Sequence, residues 1–212
     1  NNLGNLVNRT LSMQNKYFNG MIANPKVEEP VDEDLKKVVK ETVEKVNADM
    51  DTLHVADAVQ DILDLFSRCN KYIDETEPWK LAKDPDKSTR LATVLYNLME
   101  SVRIAGILLR PYLPDTSDKI LKALNTDQTD YDTVSTFGLL EEGRQITEKP
   151  EILFARLNEK EVMDKVNAIQ EEQKKALVKE KEAKPEVDIT EFEKLDLRAG
   201  KVISCEKHPD AD

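Results

Sequence analysis

Four polar residues near the start of the chain, Asn5, Arg9, Ser12 and Lys16, recur three or four positions apart. On a helix advancing about 100° per residue they fall on one narrow face. Their amide, guanidinium, hydroxyl and ammonium groups can hydrogen-bond the edges of unstacked nucleobases. An ordinary solvated face has the same composition, and both readings stand on residue type alone. A single tryptophan, Trp79, lies far downstream, directly after Glu77-Pro78. An isolated Trp in that setting reads as a packing anchor. Asp74-Glu75 look like paired carboxylates for acid–base work, but no histidine or substrate clamp accompanies them. Caps, salt bridges or support of a neighbouring site are the expected roles. Two histidines, His54 and His208, are too few for a zinc cluster. His54, near a helix start, reads as a capping or surface residue.

The elements that must position these groups are helical. Leu3, Leu6, Val7, Leu11, Met13, Tyr17 and Phe18 cover the half of the first helix opposite the polar row. Asn19-Gly20 breaks that helix, and residues 24–30 form a loop. Asp32 is expected to cap a charged second helix to about Asp49. A third runs from about Thr52 to Ile73, with core positions Val55, Val59, Ile62, Phe66, Cys69 and Ile73. A fourth runs from about Asp86 to Leu109, and its wide apolar surface places it at the centre of a bundle. Pro111 and Pro114 stop it and restart a short helix to about Leu124. The fold class is all-α, an up-and-down-like helical bundle.

Beyond residue 125 the periodicity weakens. Residues 136–140 read as a locally packed loop and 152–157 as a short extended segment. A helix rich in Lys and Glu then follows from Glu159 to about Lys184. Val162, Val166, Ile169, Ala176 and Leu177 give it one thin apolar stripe, and Lys184-Pro185-Glu186 is a linker. Residues 189–205 lead into an expected strand beginning near Arg198. The expected domains are 1–125, the bundle; 126–158, a closing segment; 159–186, the charged linker helix; and 187–212, the start of a second domain.

The chain has 212 residues and a formal net charge of -11. That balance argues against a general nucleic-acid binder, but not against a protein that reads a few bases through a local patch. Cys69 and Cys205 read as free thiols in a cytosolic setting. No apolar run approaches a membrane span, and no basic–apolar leader is visible.

Several stretches together resemble the methionyl-tRNA synthetases. They are Leu3-Gly4-Asn5-Leu6-Val7-Asn8-Arg9, Asn15-Lys16-Tyr17-Phe18, the run from Asn70 to Leu81 that contains Pro78-Trp79, and the proline pair of Leu109–Pro114. Leu153-Phe154-Ala155-Arg156-Leu157 resembles a run that follows the bundle in that family, with Ala155 in place of its usual proline. Residues 192–202 and 208–212 resemble the opening of an appended OB-type tRNA-binding domain. The resemblance implies the anticodon-binding helical bundle of a class I aminoacyl-tRNA synthetase, then a linker helix and the start of an OB-fold. It implies that Asn5 and Arg9 read an anticodon base, that Trp79, preceded by Pro78, stacks on one, and that the target is the CAU anticodon of tRNA(Met). Lys16 and Lys80 are candidates for tRNA backbone contacts, with plain solvated lysines as the competing reading.

The family's chemistry, attachment of methionine to tRNA with ATP, needs a histidine-rich signature, a lysine–serine loop and a cysteine insert for zinc. None of these motifs occurs here. ATP with Mg, and zinc, are therefore expected in a catalytic domain outside this sequence. The chain is expected to be a noncatalytic C-terminal slice, cut inside the first bundle helix and inside the OB domain. Homodimerisation is expected only of a complete OB-type domain. The rivals are the anticodon bundle of another class I synthetase, a noncatalytic interaction bundle, and an OB-led tRNA-binding factor.

Overall fold

The computed structural model describes residues 2–155, 157–180 and 188–204. The chain divides into two compact units, one ending at Arg156 and one beginning at Leu157.

In the first unit α1 (Asn2–Phe18), α2 (Pro30–Asp51), α3 (Val55–Thr76), the one-turn α4 (Pro78–Leu81), α5 (Ser88–Leu109) and α6 (Pro114–Leu124) follow in order. α5 is the hub: α1, α2, α3, α4 and α6 all pack on it. Every residue from Arg90 to Leu109 is buried. Against the expectation that no apolar run approaches a membrane span, the length and apolar character of Pro85–Leu109 do match one, but its apolar window is buried inside the bundle, as in a core helix. The central placement read from its wide apolar surface is what the structure shows.

α2 begins two residues earlier than its expected cap. Pro30 occupies the first helical position, where a missing N–H costs nothing. Asp32 therefore sits one turn inside and reaches back to accept the Glu29 amide at 2.7 Å. It is not the N-cap but the hub of a buried network. Arg90 donates to its two oxygens at 2.7 and 3.0 Å, and the Tyr72 hydroxyl donates to it as well. Burial alone pushes the Asp32 carboxyl up; the hydrogen bonds from Arg90, Tyr72 and the Glu29 amide outweigh it and hold the carboxyl below its usual range.

α3 starts at Val55 rather than Thr52, because Thr52 caps α2 and Leu53 turns the chain in a left-handed conformation, φ 62°. α6 ends on Asn125, also left-handed.

A second buried pair organises the loop after α6. Arg103 and Glu100, both fully buried, pair at 2.7 Å. The Glu100 carboxylate accepts three consecutive backbone N–H groups, from Gly138, Leu139 and Leu140. Arg103 donates to the carbonyls of Gln128, Thr133 and Thr136. The 136–140 segment is thus packed on a charge rather than only on apolar neighbours.

Residues 143–150 then run back along α1. Ile146 N–H bonds the Gly20 carbonyl at 2.9 Å, and Met21 and Gln145 form an isolated antiparallel bridge. Asn15 Nδ2 donates to the carbonyls of Thr147 and Glu148, while Thr147 N–H bonds the Ala123 carbonyl on α6.

The second unit holds α7 (Glu159–Glu180) and α8 (Ile189–Phe192). Asn158 Oδ1 accepts the Lys160 amide at the start of α7, as a helix-capping asparagine does. Val166 and Ile169 of its apolar stripe are exposed. The expected strand near Arg198 does not form: residues 195–204 are irregular. A strand needs a partner for its ladder, and none is present among the described residues. Arg156, the side chains of Ala176 and Leu177, the 184–186 linker, Cys205 and residues 208–212 lie outside what the structure describes.

Candidate nucleic-acid interface

α1 is amphipathic in the sense its spacing dictates. Leu3, Leu6, Val7 and Leu11 are buried, and Asn5, Asn8, Arg9, Ser12 and Lys16 are exposed. The helix carries Arg9 and Lys16 and no acidic residue, a local exception in a chain of net charge -11. No hydrogen bond or ion pair with another described residue engages Asn5 or Arg9. They stand one turn apart, within reach of one small planar ligand. The Lys16 ammonium lies 5.4 Å from the Tyr17 ring centroid, a cation–π contact.

The second group of candidates sits where α3 ends. Glu77 closes α3 with φ 44° and donates its amide to the Ile73 carbonyl at 3.0 Å. A left-handed, non-glycine residue before a proline is strained. The strain is held because Glu77 also starts α4, whose first residue is the buried Pro78. α4 packs against α5 and presents Trp79, 39% exposed. The indole is thus part anchor and part open face. Lys80 pairs with Glu77 at 2.7 Å on the surface, a weak interaction in water.

Asn5 and Arg9 are brought together on α1, and Pro78, Trp79 and Lys80 on α4. The two groups rest on one shared helix, α5, and among the described residues no hydrogen bond or ion pair joins them. Asn8 is a further exposed amide beside Asn5, and its three-residue spacing made it readable. Less readable was its surroundings: Gly4, Asn5, Val7 and Asn8 form one wall of a cleft of about 240 Å³, with Pro150, Glu151, Ile152, Leu153 and Phe154 opposite.

The lesser candidates fall into structural roles. Glu75 pairs with Arg68 at 3.0 Å and with Lys71. His54 is an exposed residue at the N-terminus of α3, with Nδ1 3.3 Å from Thr52 Oγ1. Cys69 is a buried free thiol, pushed up to about 12 by burial. Among the described residues, no three His, Cys, Asp or Glu side chains gather as metal ligands.

Residues 24–174 match the family model described as the anticodon binding domain of methionyl tRNA ligase. Over 206 residues the chain is 43% identical to the methionine–tRNA ligase of Clostridium acetobutylicum, covering 97% of this chain and 32% of that protein. It is 42% identical over 219 residues to the corresponding ligase of Caldanaerobacter subterraneus, covering 100% of this chain and 33% of the relative. The apo crystal structure of Mycobacterium tuberculosis methionyl-tRNA synthetase is similar with a TM-score of 0.69 at 31% identity, over 74% of this chain and 32% of that one. The chain spans about a third of the length of the curated relatives it matches.

Proposed function

The chain belongs to the family of methionyl-tRNA ligase anticodon-binding domains, and from that premise we propose that it reads the CAU anticodon of tRNA(Met) for an ATP-dependent methionine–tRNA ligase. The observation that carries this reading is the pairing of an open indole with an unengaged amide–guanidinium pair on one bundle. An anticodon loop offers unstacked bases, and stacking one on the Trp79 face contributes roughly 1–3 kcal/mol. Asn5 supplies one acceptor and two donors, and Arg9 supplies donors only. A base that mismatches this pattern leaves polar groups desolvated and unpaired, which costs about 1–3 kcal/mol. Affinity from stacking and selectivity from the edge readers are thereby separate contributions.

Lys16 and Lys80 add backbone contacts, each weakened by the partner it already has. The same proposal places ATP with Mg, and zinc, in the catalytic part of the enzyme. Homodimerisation through a complete OB-type domain and a cytoplasmic location are parts of the same proposal.

The test is a titration of this chain with a CAU anticodon stem-loop and with loops carrying one changed base. The chain prefers CAU, and Trp79→Ala weakens binding by about 5- to 150-fold. Equal binding to every loop, or preference for another anticodon, would overturn the proposal. The second outcome favours a different class I synthetase.

A further inference from the structure

The cleft between α1 and residues 150–154 reaches beyond the Asn5–Arg9 pair. Its α1 wall carries two exposed side-chain amides, Asn5 and Asn8. Its opposite wall carries Phe154, an aromatic ring left 44% exposed. The chain leading into that wall is anchored. Just before the cleft it is tied to Gly20 and Asn15 at the far end of α1 and to Ala123 on α6. Leu153 packs against the core. The one carboxylate on the rim, Glu151, is paired with Lys119 at 3.3 Å. Directly across Pro150 and Glu151 lies a second groove, bordered by Lys119, Lys122 and Lys149.

We propose that this cleft is a nucleobase pocket in which Phe154 stacks on a second anticodon-loop base and Asn8 reads its edge. Lys122 and Lys149, across the ridge, hold the adjoining phosphate. The inference rests on the anticodon reading of Asn5 but adds residues on a different wall. The chemistry favours a base over a peptide. The cleft offers an open ring face, two amides able both to donate and to accept, and neighbouring cations suited to a phosphodiester.

The experiment measures binding of the CAU stem-loop to Phe154→Ala, Phe154→Tyr, Phe154→Leu and Asn8→Ala forms of this chain, with thermal melting alongside. Phe154→Ala weakens binding about 5- to 150-fold, Phe154→Tyr restores it, and Phe154→Leu does not. Asn8→Ala lowers discrimination at one loop position and leaves the melting temperature unchanged. If Phe154→Ala also melts early, the Leu form decides, since it keeps apolar packing and removes only the aromatic face. Wild-type binding by the Leu form overturns the pocket. So does wild-type binding by Phe154→Ala, the outcome expected if a protein segment fills the cleft. Loss of CAU preference in the unmodified chain, or no effect of Trp79→Ala, defeats the anticodon reading itself. A normal Trp79→Ala loss with intact Phe154 and Asn8 variants defeats only the pocket.

Discussion

The polar groups of α1 and those of α5 make opposite use of the same chemistry. On α5, Arg90, Glu100 and Arg103 are buried and saturated with partners from distant segments. On α1, Asn5, Asn8 and Arg9 are exposed and engaged by no other described residue. A buried charge is tolerated only when its hydrogen bonds are made within the fold. An exposed amide or guanidinium without a partner keeps its hydrogen bonds for something outside. Satisfaction, rather than residue type, separates the polar groups that specify the bundle from those available for recognition.

Removing a partner on α5 is the strongest way to sharpen that division. Arg90→Met leaves Asp32 buried without its cation and should lower stability by about 3–5 kcal/mol in urea denaturation. Loop affinity of the molecules that remain folded should stay unchanged. Arg103→Met should have a more local effect: faster amide exchange at Gly138, Leu139 and Leu140, because Glu100 loses the charge that holds it in place. An Arg90→Met chain as stable as the parent would break the comparison.

On the recognition side, Trp79→Ala should reduce loop affinity by about 1–3 kcal/mol with a smaller loss of stability. Asn5→Ala should cost about 0.5–1.5 kcal/mol of affinity and leave the melting temperature in place. If Asn5→Ala instead destabilised the fold and spared binding, α1 would belong with α5. Lys80→Ala should change affinity least, visible mainly as a salt slope shallower by about one.

The core also carries a pH signature. Burial pushes Cys69 up to about 12 from an ordinary 9.0, and burial raises Tyr72 and Tyr96 in the same direction. A raised value means the folded state keeps its proton after the unfolded chain has released it. This stabilisation is complete below about pH 9 and is lost as pH rises toward 12. Denaturation midpoints measured across that window should fall, and should fall less steeply in Cys69→Ala.

Much of the bundle was legible because it follows local rules. The wide apolar surface of 91–109 pointed to the centre of a bundle, and the spacing of Leu3, Leu6, Val7 and Leu11 fixed which side of α1 faces solvent. Asp32 was misread because capping is judged over four residues, whereas its partners Tyr72 and Arg90 lie 40 and 58 residues away. Glu100 and Arg103 did leave a signal, two opposite charges three apart within an apolar run. The 150–154 wall read only as part of an extended run, since its place beside α1 follows from backbone bonds of Ile146 and Thr147 to Gly20 and Ala123 and from the packing of Leu153. The strand expected near Arg198 shows the reverse limit: β-forming residues alone make no strand without a neighbour.

The last turn of α3 serves two tasks at once. Tyr72 donates into the Asp32 network, and its carbonyl accepts the Thr76 hydroxyl at 2.7 Å, one residue before Glu77 sets the direction of α4. The platform beneath the indole is therefore wired to the buried Asp32 network. In time rather than energy, the Trp79 turn should keep its shape for as long as the core stays closed. The Lys80 and Leu81 amides, both bonded to the Glu77 carbonyl, should then exchange with solvent at the rate of global unfolding, not at the rate of a surface loop.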